Sequence, residues 1–226
     1  MNRVHILVVA LALGAGRAGA DTWWYTYEAD GTYPEQEGWE RTIMGGGAQR
    51  WFEDGAFVLD STGSTEPLDI YAKGMPTLPD PNDPTHAFVC EWRLRVDTIV
   101  GYWSPTLFLL FQGYGDIGLG YDMDQIYSFF EGEYIADFEP GVFHSYRLVT
   151  SDLETYTLAI DGTVVYTGEV DPWAPTSVVN FGDSAEARGS LSRWDYVRYG
   201  VTAVPEPGSI LLLGTIMAGP LWRRST

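Results

Sequence analysis

From His86 to Asp97 the side chains alternate without interruption. Phe88, Cys90, Trp92, Leu94 and Val96 fall on one face, and Val89, Glu91, Arg93, Arg95 and Asp97 fall on the other. A period of two belongs to a pleated strand, not to a helix. This segment must therefore bury one face and hydrate the other, which requires a sheet with a core on one side.

The rest of the chain reads as shorter strands cut by glycine and proline. Trp23, Trp24, Tyr25 and Tyr27 predict an aromatic first strand, and Gln49 to Phe52 and Ala56 to Asp60 predict two more. Leu107 to Phe111 is continuously apolar and predicts a strand buried on both faces, with Gly113, Gly115, Gly118 and Gly120 bending the chain after it. Further strands are predicted at Gln125 to Phe130, Phe143 to Val149, Thr155 to Ile160, Thr163 to Thr167 and Ser177 to Phe181. In the closing strand, Leu191 to Tyr199, the alternation sets Trp194, Tyr196 and Arg198 against Asp195, Val197 and Tyr199.

Asp161-Gly162 is the dipeptide a type I′ hairpin needs, because both central residues take positive φ. Glu28 to Gly38 and Gly45-Gly46-Gly47 read as a loop and a turn. Pro76, Pro79, Pro81 and Pro84 make Lys73 to Thr85 a long surface loop. No amphipathic helix of three turns is present, so the pattern predicts an all-β sandwich.

The two ends differ from this body. Met1 to Ala20 has a basic start at Arg3, an apolar stretch from Val4 to Leu13 and small residues before Asp21, the organisation of a secretory signal peptide with cleavage expected at Ala20/Asp21. At the other end Val204, Pro205, Glu206 and Pro207 break the chain. An apolar run from Ile210 to Trp222 follows, then Arg223 and Arg224, whose charge keeps that end cytoplasmic. The chain thus divides into a signal segment (1–20), a β domain (21–203) and a short hydrophobic C-terminal segment expected to be helical (204–226).

Of the 31 acids only Glu206 lies outside the body, and of the 13 basic residues Arg3, Arg17, Arg223 and Arg224 do; 30 acids against 9 bases leave the body at −21. Such a field repels nucleic acid and anionic lipid, and favours hard cations such as calcium. Cys90, the one cysteine, has no partner for an intramolecular disulfide and sits on the apolar face of its strand.

In its order of Pro-Glu-Pro, apolar run and paired arginines, the tail closely resembles the PEP-CTERM sorting signal of Gram-negative bacteria. The resemblance implies processing by an exosortase, a membrane partner before processing, and sorting to the outer surface or extracellular matrix. The strings Phe143-His144-Ser145-Tyr146-Arg147-Leu148, Tyr156-Thr157-Leu158-Ala159-Ile160-Asp161-Gly162 and Trp194-Asp195-Tyr196-Val197-Arg198 resemble the concanavalin A-like lectin/glucanase (LamG-like) jelly roll. That resemblance implies extracellular polysaccharide as partner and makes Asp195, in the closing strand, the candidate for a structural calcium.

Glucanases of that superfamily carry Glu-x-Asp-x-x-Glu on one strand; the body has no such string, and Glu28-x-Asp30 is only a fragment of it. Asp116, Asp122 and Asp124 in the glycine-rich stretch read as solvated acids or as oxygen ligands for calcium. His144 has no serine or cysteine partner that would make a triad. Tyr102, Trp103, Tyr114, Tyr121 and Trp173 are predicted in or beside loops, where flat rings stack on sugars. The expected function is a non-catalytic, carbohydrate-binding surface protein; the alternatives are a glycoside hydrolase or lyase with another acid arrangement, and a purely structural envelope component.

Overall fold

The computed structural model describes residues 21–64, 68–83, 85–184 and 189–204. The signal segment, and Pro205, Glu206, Pro207, Arg223 and Arg224 of the tail, lie outside them. The described chain forms two antiparallel sheets packed face to face.

The first sheet holds β1 (Thr22–Glu28), β3 (Gln49–Glu53), β4 (Ala56–Asp60), β6 (His86–Ile99), β11 (His144–Thr150), β12 (Thr155–Ile160), β13 (Thr163–Glu169) and β15 (Ser190–Ala203). Its order is β13-β12-β11-β6-β15-β4-β3, with β1 also paired to β15. The second sheet holds β2 (Glu40–Met44), β5 (Leu68–Gly74), β7 (Thr106–Phe111), β8 (Gly115–Asp122), β9 (Gln125–Ser128), β10 (Glu133–Asp137) and β14 (Val178–Ser184), in the order β10-β9-β8-β7-β14-β5-β2.

The alternation of β6 is realised as read: Phe88, Cys90, Trp92, Leu94 and Val96 are all buried between the sheets. Opposite them Leu107, Leu109 and Phe111 of β7 and Ile117, Leu119 and Tyr121 of β8 close the core. Each large side chain buried this way contributes about 1.5–3 kcal/mol. The sheets are joined at one point by a polar contact inside the core. Trp92 stacks on Tyr146 at 5.3 Å, and its indole N–H donates to the Tyr121 hydroxyl at 3.0 Å. Tyr121 is therefore a core residue, and its place among the candidate sugar-stacking rings is corrected: its strand points it inward.

Asp161 and Gly162 both have positive φ, 50° and 79°, at the β12–β13 turn, as the hairpin reading requires. Three other expectations fail for physical reasons. β7 is buried on one face only, since Phe108 and Leu110 point outward and are partly exposed. Of the glycines after it only Gly113, with a φ of 80°, turns the chain, while Gly115, Gly118 and Gly120 are in a paired strand, lying opposite Phe111, Phe108 and Thr106 in the β7–β8 ladder. In β15 a bulge falls between Trp194 and Tyr196, so Asp195 is an extra residue and the alternation flips. Trp194, Val197 and Tyr199 consequently all face the core.

At one end of the sandwich Asp183 is fully buried, with no cation beside it among the described residues. It accepts from the Ser61, Ser104 and Ser190 hydroxyls and from the Ser190 N–H. Burial raises its pKa even so, with the serine hydrogen bonds opposing.

Candidate functional site

Among the described residues, the outer faces of the two sheets have opposite chemistry. On the first sheet Arg147 pairs with Asp21 and Glu91, Arg198 with Glu91, Arg193 with Asp97 and Glu53, Arg95 with Asp97, and Arg93 with Asp195. Every cation there is matched by a carboxylate, and the face is a closed lattice of charge pairs.

The outer face of the second sheet is aromatic. Strand alternation turns Asp116, Gly118, Gly120 and Asp122 of β8 outward, beside Thr106, Phe108 and Leu110 of β7 and Tyr127 of β9. A Cβ on Gly118 would lie 2.6 Å from the Phe108 ring, and one on Gly120 would lie 2.8 Å from Trp103 and 2.9 Å from Phe129. Only glycine lets these rings lie against the sheet backbone. Phe108 stacks on Phe129 at 5.2 Å and Trp103 on Tyr127 at 4.9 Å, while Tyr102 and Tyr134 extend the cluster. The latter two rings are 62% and 47% exposed. Trp103 has a φ of 59°, a strained conformation for a bulky residue, and its Cα and Cβ lie against Gly120. Asn180 of β14 lies opposite Phe108 and adds an amide to the face.

Among the described residues three buried polar atoms on this face have no partner, one of them an Asp116 carboxylate oxygen. The Trp103 indole N–H and one Asp122 carboxylate oxygen are buried and unbonded, while the other Asp122 oxygen accepts from the Tyr134 hydroxyl at 2.6 Å. A buried donor or acceptor without a partner costs about 1–3 kcal/mol.

No protein-family model matches the sequence, and no curated protein matches it either. Solved structures do. An endo-1,3-beta-glucanase from Streptomyces sioyaensis superposes with a TM-score of 0.57 at 12% identity, over 81% of this chain and 97% of its own. A galectin-like protein of unknown function from Bacillus subtilis gives 0.56 at 13%, over 83% and 100%. A carbohydrate esterase from a Shiga toxin-encoding bacteriophage gives 0.58 at 11%, over 82% and 100%. The fold is a concanavalin A- and galectin-like jelly roll.

On this jelly roll the sequence candidates separate. Tyr102 and Trp103 belong to the aromatic face, together with Phe108, Tyr127, Phe129 and Tyr134, which strand assignment alone did not single out. The signal for the missed rings was their pairing across β8: aromatic residues on two flanking strands over glycines on the middle one. Tyr114 and Trp173, 41% and 69% exposed, lie toward the Asp116 end of β8.

There Asp116 and Asp171 exchange both backbone hydrogen bonds, at 2.9 and 3.1 Å, which sets their Cα atoms about 5.5 Å apart with side chains on one face. Burial, with a smaller contribution from the Asp171 charge, pushes the Asp116 carboxyl up to about 6. Because its folded pKa lies above the unfolded 3.8, its contribution to stability is complete below pH 4 and is lost as pH rises to about 6. Asp116→Asn is expected to remove that loss, about 1 kcal/mol once solvent screening is allowed for, from urea-melt stability compared at pH 4 and pH 7; an unchanged pH profile in the variant would contradict the assignment.

Asp195 is a bulge residue whose carboxylate receives the Arg93 guanidinium at 2.5 Å, and whose carbonyl accepts the Ala29 N–H at 2.9 Å. Among the described residues no group of three or more His, Cys, Asp or Glu side chains could hold a metal ion. The Asp195 carboxylate is thus engaged by the Arg93 guanidinium, and calcium titration tests the metal expectation for this residue. With the carboxylate so paired, calcium is expected to leave the melting temperature unchanged, and a rise of several degrees that EDTA reverses would establish the metal site.

His144 is held at both nitrogens, Nδ1 by Asp161 at 2.7 Å and Nε2 by the Glu139 backbone. It lines an open concavity of about 520 Å³ with Phe138, Pro140, Ile160 and Val165, on the far side of β10 from the aromatic face.

Proposed function

We propose that the domain binds carbohydrate on the outer face of the second sheet as a non-catalytic module. The observation that carries this reading is the glycine-floored aromatic platform of Trp103, Phe108, Tyr127 and Phe129. Partly exposed flat rings with few polar groups among them make a stacking surface for a pyranose ring, and the adjacent unpartnered indole N–H and carboxylate oxygen are complementary to hydroxyls. The jelly-roll fold supports the reading only as context, because function resides in sites. A glycan array probed with the protein tests it: binding that Trp103→Ala abolishes is expected, and no binding to any glycan would leave a structural envelope role.

The sequence of the two ends supports export through the signal segment, exosortase recognition of Val204–Pro207 with Arg223 and Arg224, and a destination at the outer surface or extracellular matrix of a Gram-negative cell. Mass spectrometry of the mature protein tests this, with termini near Asp21 and the Pro-Glu-Pro element as the expected result.

A hydrolytic reading draws on the Asp116–Asp171 pair alone. Retaining glycosidases hold two carboxyl groups about 5 Å apart, one of raised pKa. Release of reducing ends from a neutral glucan, lost in Asp116→Asn, would favour it over simple binding.

A further inference from the structure

Resting on the carbohydrate-binding reading, we infer that the second-sheet face accepts neutral glycans and rejects anionic polysaccharides such as polyuronates or sulfated chains. The first observation is the distribution of charge. Strand alternation sends Glu40, Asp116 and Asp122 to this face, and among the described residues it sends no lysine or arginine there. The cations of the described body are spent elsewhere. Five close the lattice on the opposite face, Arg41 is held by Asp69, Arg50 by Glu35, and the Lys73 ammonium by the Glu37 and Gly38 carbonyls. An acidic polymer laid on the platform would meet carboxylates with no counter-charge among the described residues, within a body already at −21 by sequence.

The second observation is the hydrogen-bonding character of the unpartnered groups. The Asp122 oxygen, in a side chain 7% exposed, can only accept while ionised, and the Trp103 N–H can only donate. A sugar hydroxyl does both and matches either group once a side-chain movement uncovers it, both atoms being shielded from solvent in this conformation. A uronate carboxylate or a sulfate is itself only an acceptor, so it is repelled by Asp122 and finds only neutral donors on this face where such groups ordinarily take arginine.

Affinity electrophoresis of the whole protein in gels containing laminarin, a neutral β-glucan, or alginate, a polyuronate, at low and high salt, tests the inference. Retardation by laminarin that changes less than about twofold with salt, with no retardation by alginate at low salt, is the expected result. Equal or stronger retardation by alginate would overturn the charge argument and leave the sugar-binding reading standing. No retardation by laminarin, alginate or a further neutral glucan, lichenan, would overturn both. Glu40→Lys provides the internal check, since a cation placed at the rim of this face should introduce salt-sensitive retardation by alginate; if it does not, charge is not what excludes the polyanion.

Discussion

Replacing Trp103 by alanine is expected to weaken glycan binding at least 30-fold while leaving the sandwich folded. The indole stacks on Tyr127 and packs edge-on against Phe129, so its loss removes the largest ring of the platform and releases the two it orders. Centrally packed tryptophans at binding surfaces typically account for about 2 kcal/mol or more, and each 1.4 kcal/mol is tenfold in affinity. The ring lies outside the inter-sheet core, so far-UV circular dichroism should be unchanged and the melting temperature should fall by a few degrees only. Tyr102→Ala, at the exposed rim, should cost about tenfold or less. Equal affinity in Trp103→Ala and wild type would remove the platform from the account.

The largest expected effect on stability lies at the other edge of the same sheet. Asp69 is fully buried and accepts from Arg41 at 2.6 and 2.7 Å and from the Ala48 N–H at 2.9 Å. Arg41→Met leaves a buried carboxylate with a single donor. Breaking such a pair from one side costs about 3–5 kcal/mol, which for a domain of this size lowers the melting temperature by roughly 6–20 °C. The double variant Arg41→Met/Asp69→Leu should recover much of that loss, because it removes the stranded charge instead of exposing it. A single variant within about 1 kcal/mol of wild type would mean that water, not Arg41, solvates Asp69.

How much of this was legible in the sequence depends on which force fixed each element. β6 and the β12–β13 hairpin were readable because a local rule suffices: alternation for one, the φ preference of Asp-Gly for the other. β8 was not. Glycine has low strand propensity, and what keeps Gly118 and Gly120 in a strand is the cover given by Phe108, Trp103 and Phe129 from neighbouring segments. The same non-local pairing builds the binding face, so the site was concealed together with the strand. Tyr121 was misassigned with them, because a tyrosine in an apparent glycine loop reads as exposed until its strand turns it inward. Asp195 shows the converse: its string matched a family pattern, but one bulge and one arginine on β6 determine what its carboxylate contacts.

Titration of the isotope-labelled protein with a neutral β-glucan oligosaccharide, followed residue by residue by NMR, tests the central claim most directly. Shifts concentrated at the Trp103 indole, Gly118, Gly120, Tyr127 and Asn180 are the expected result, with the charge-paired outer face of the first sheet unmoved. Shifts centred on Arg93, Arg147 and Arg198, or on the concavity beside His144, would contradict it.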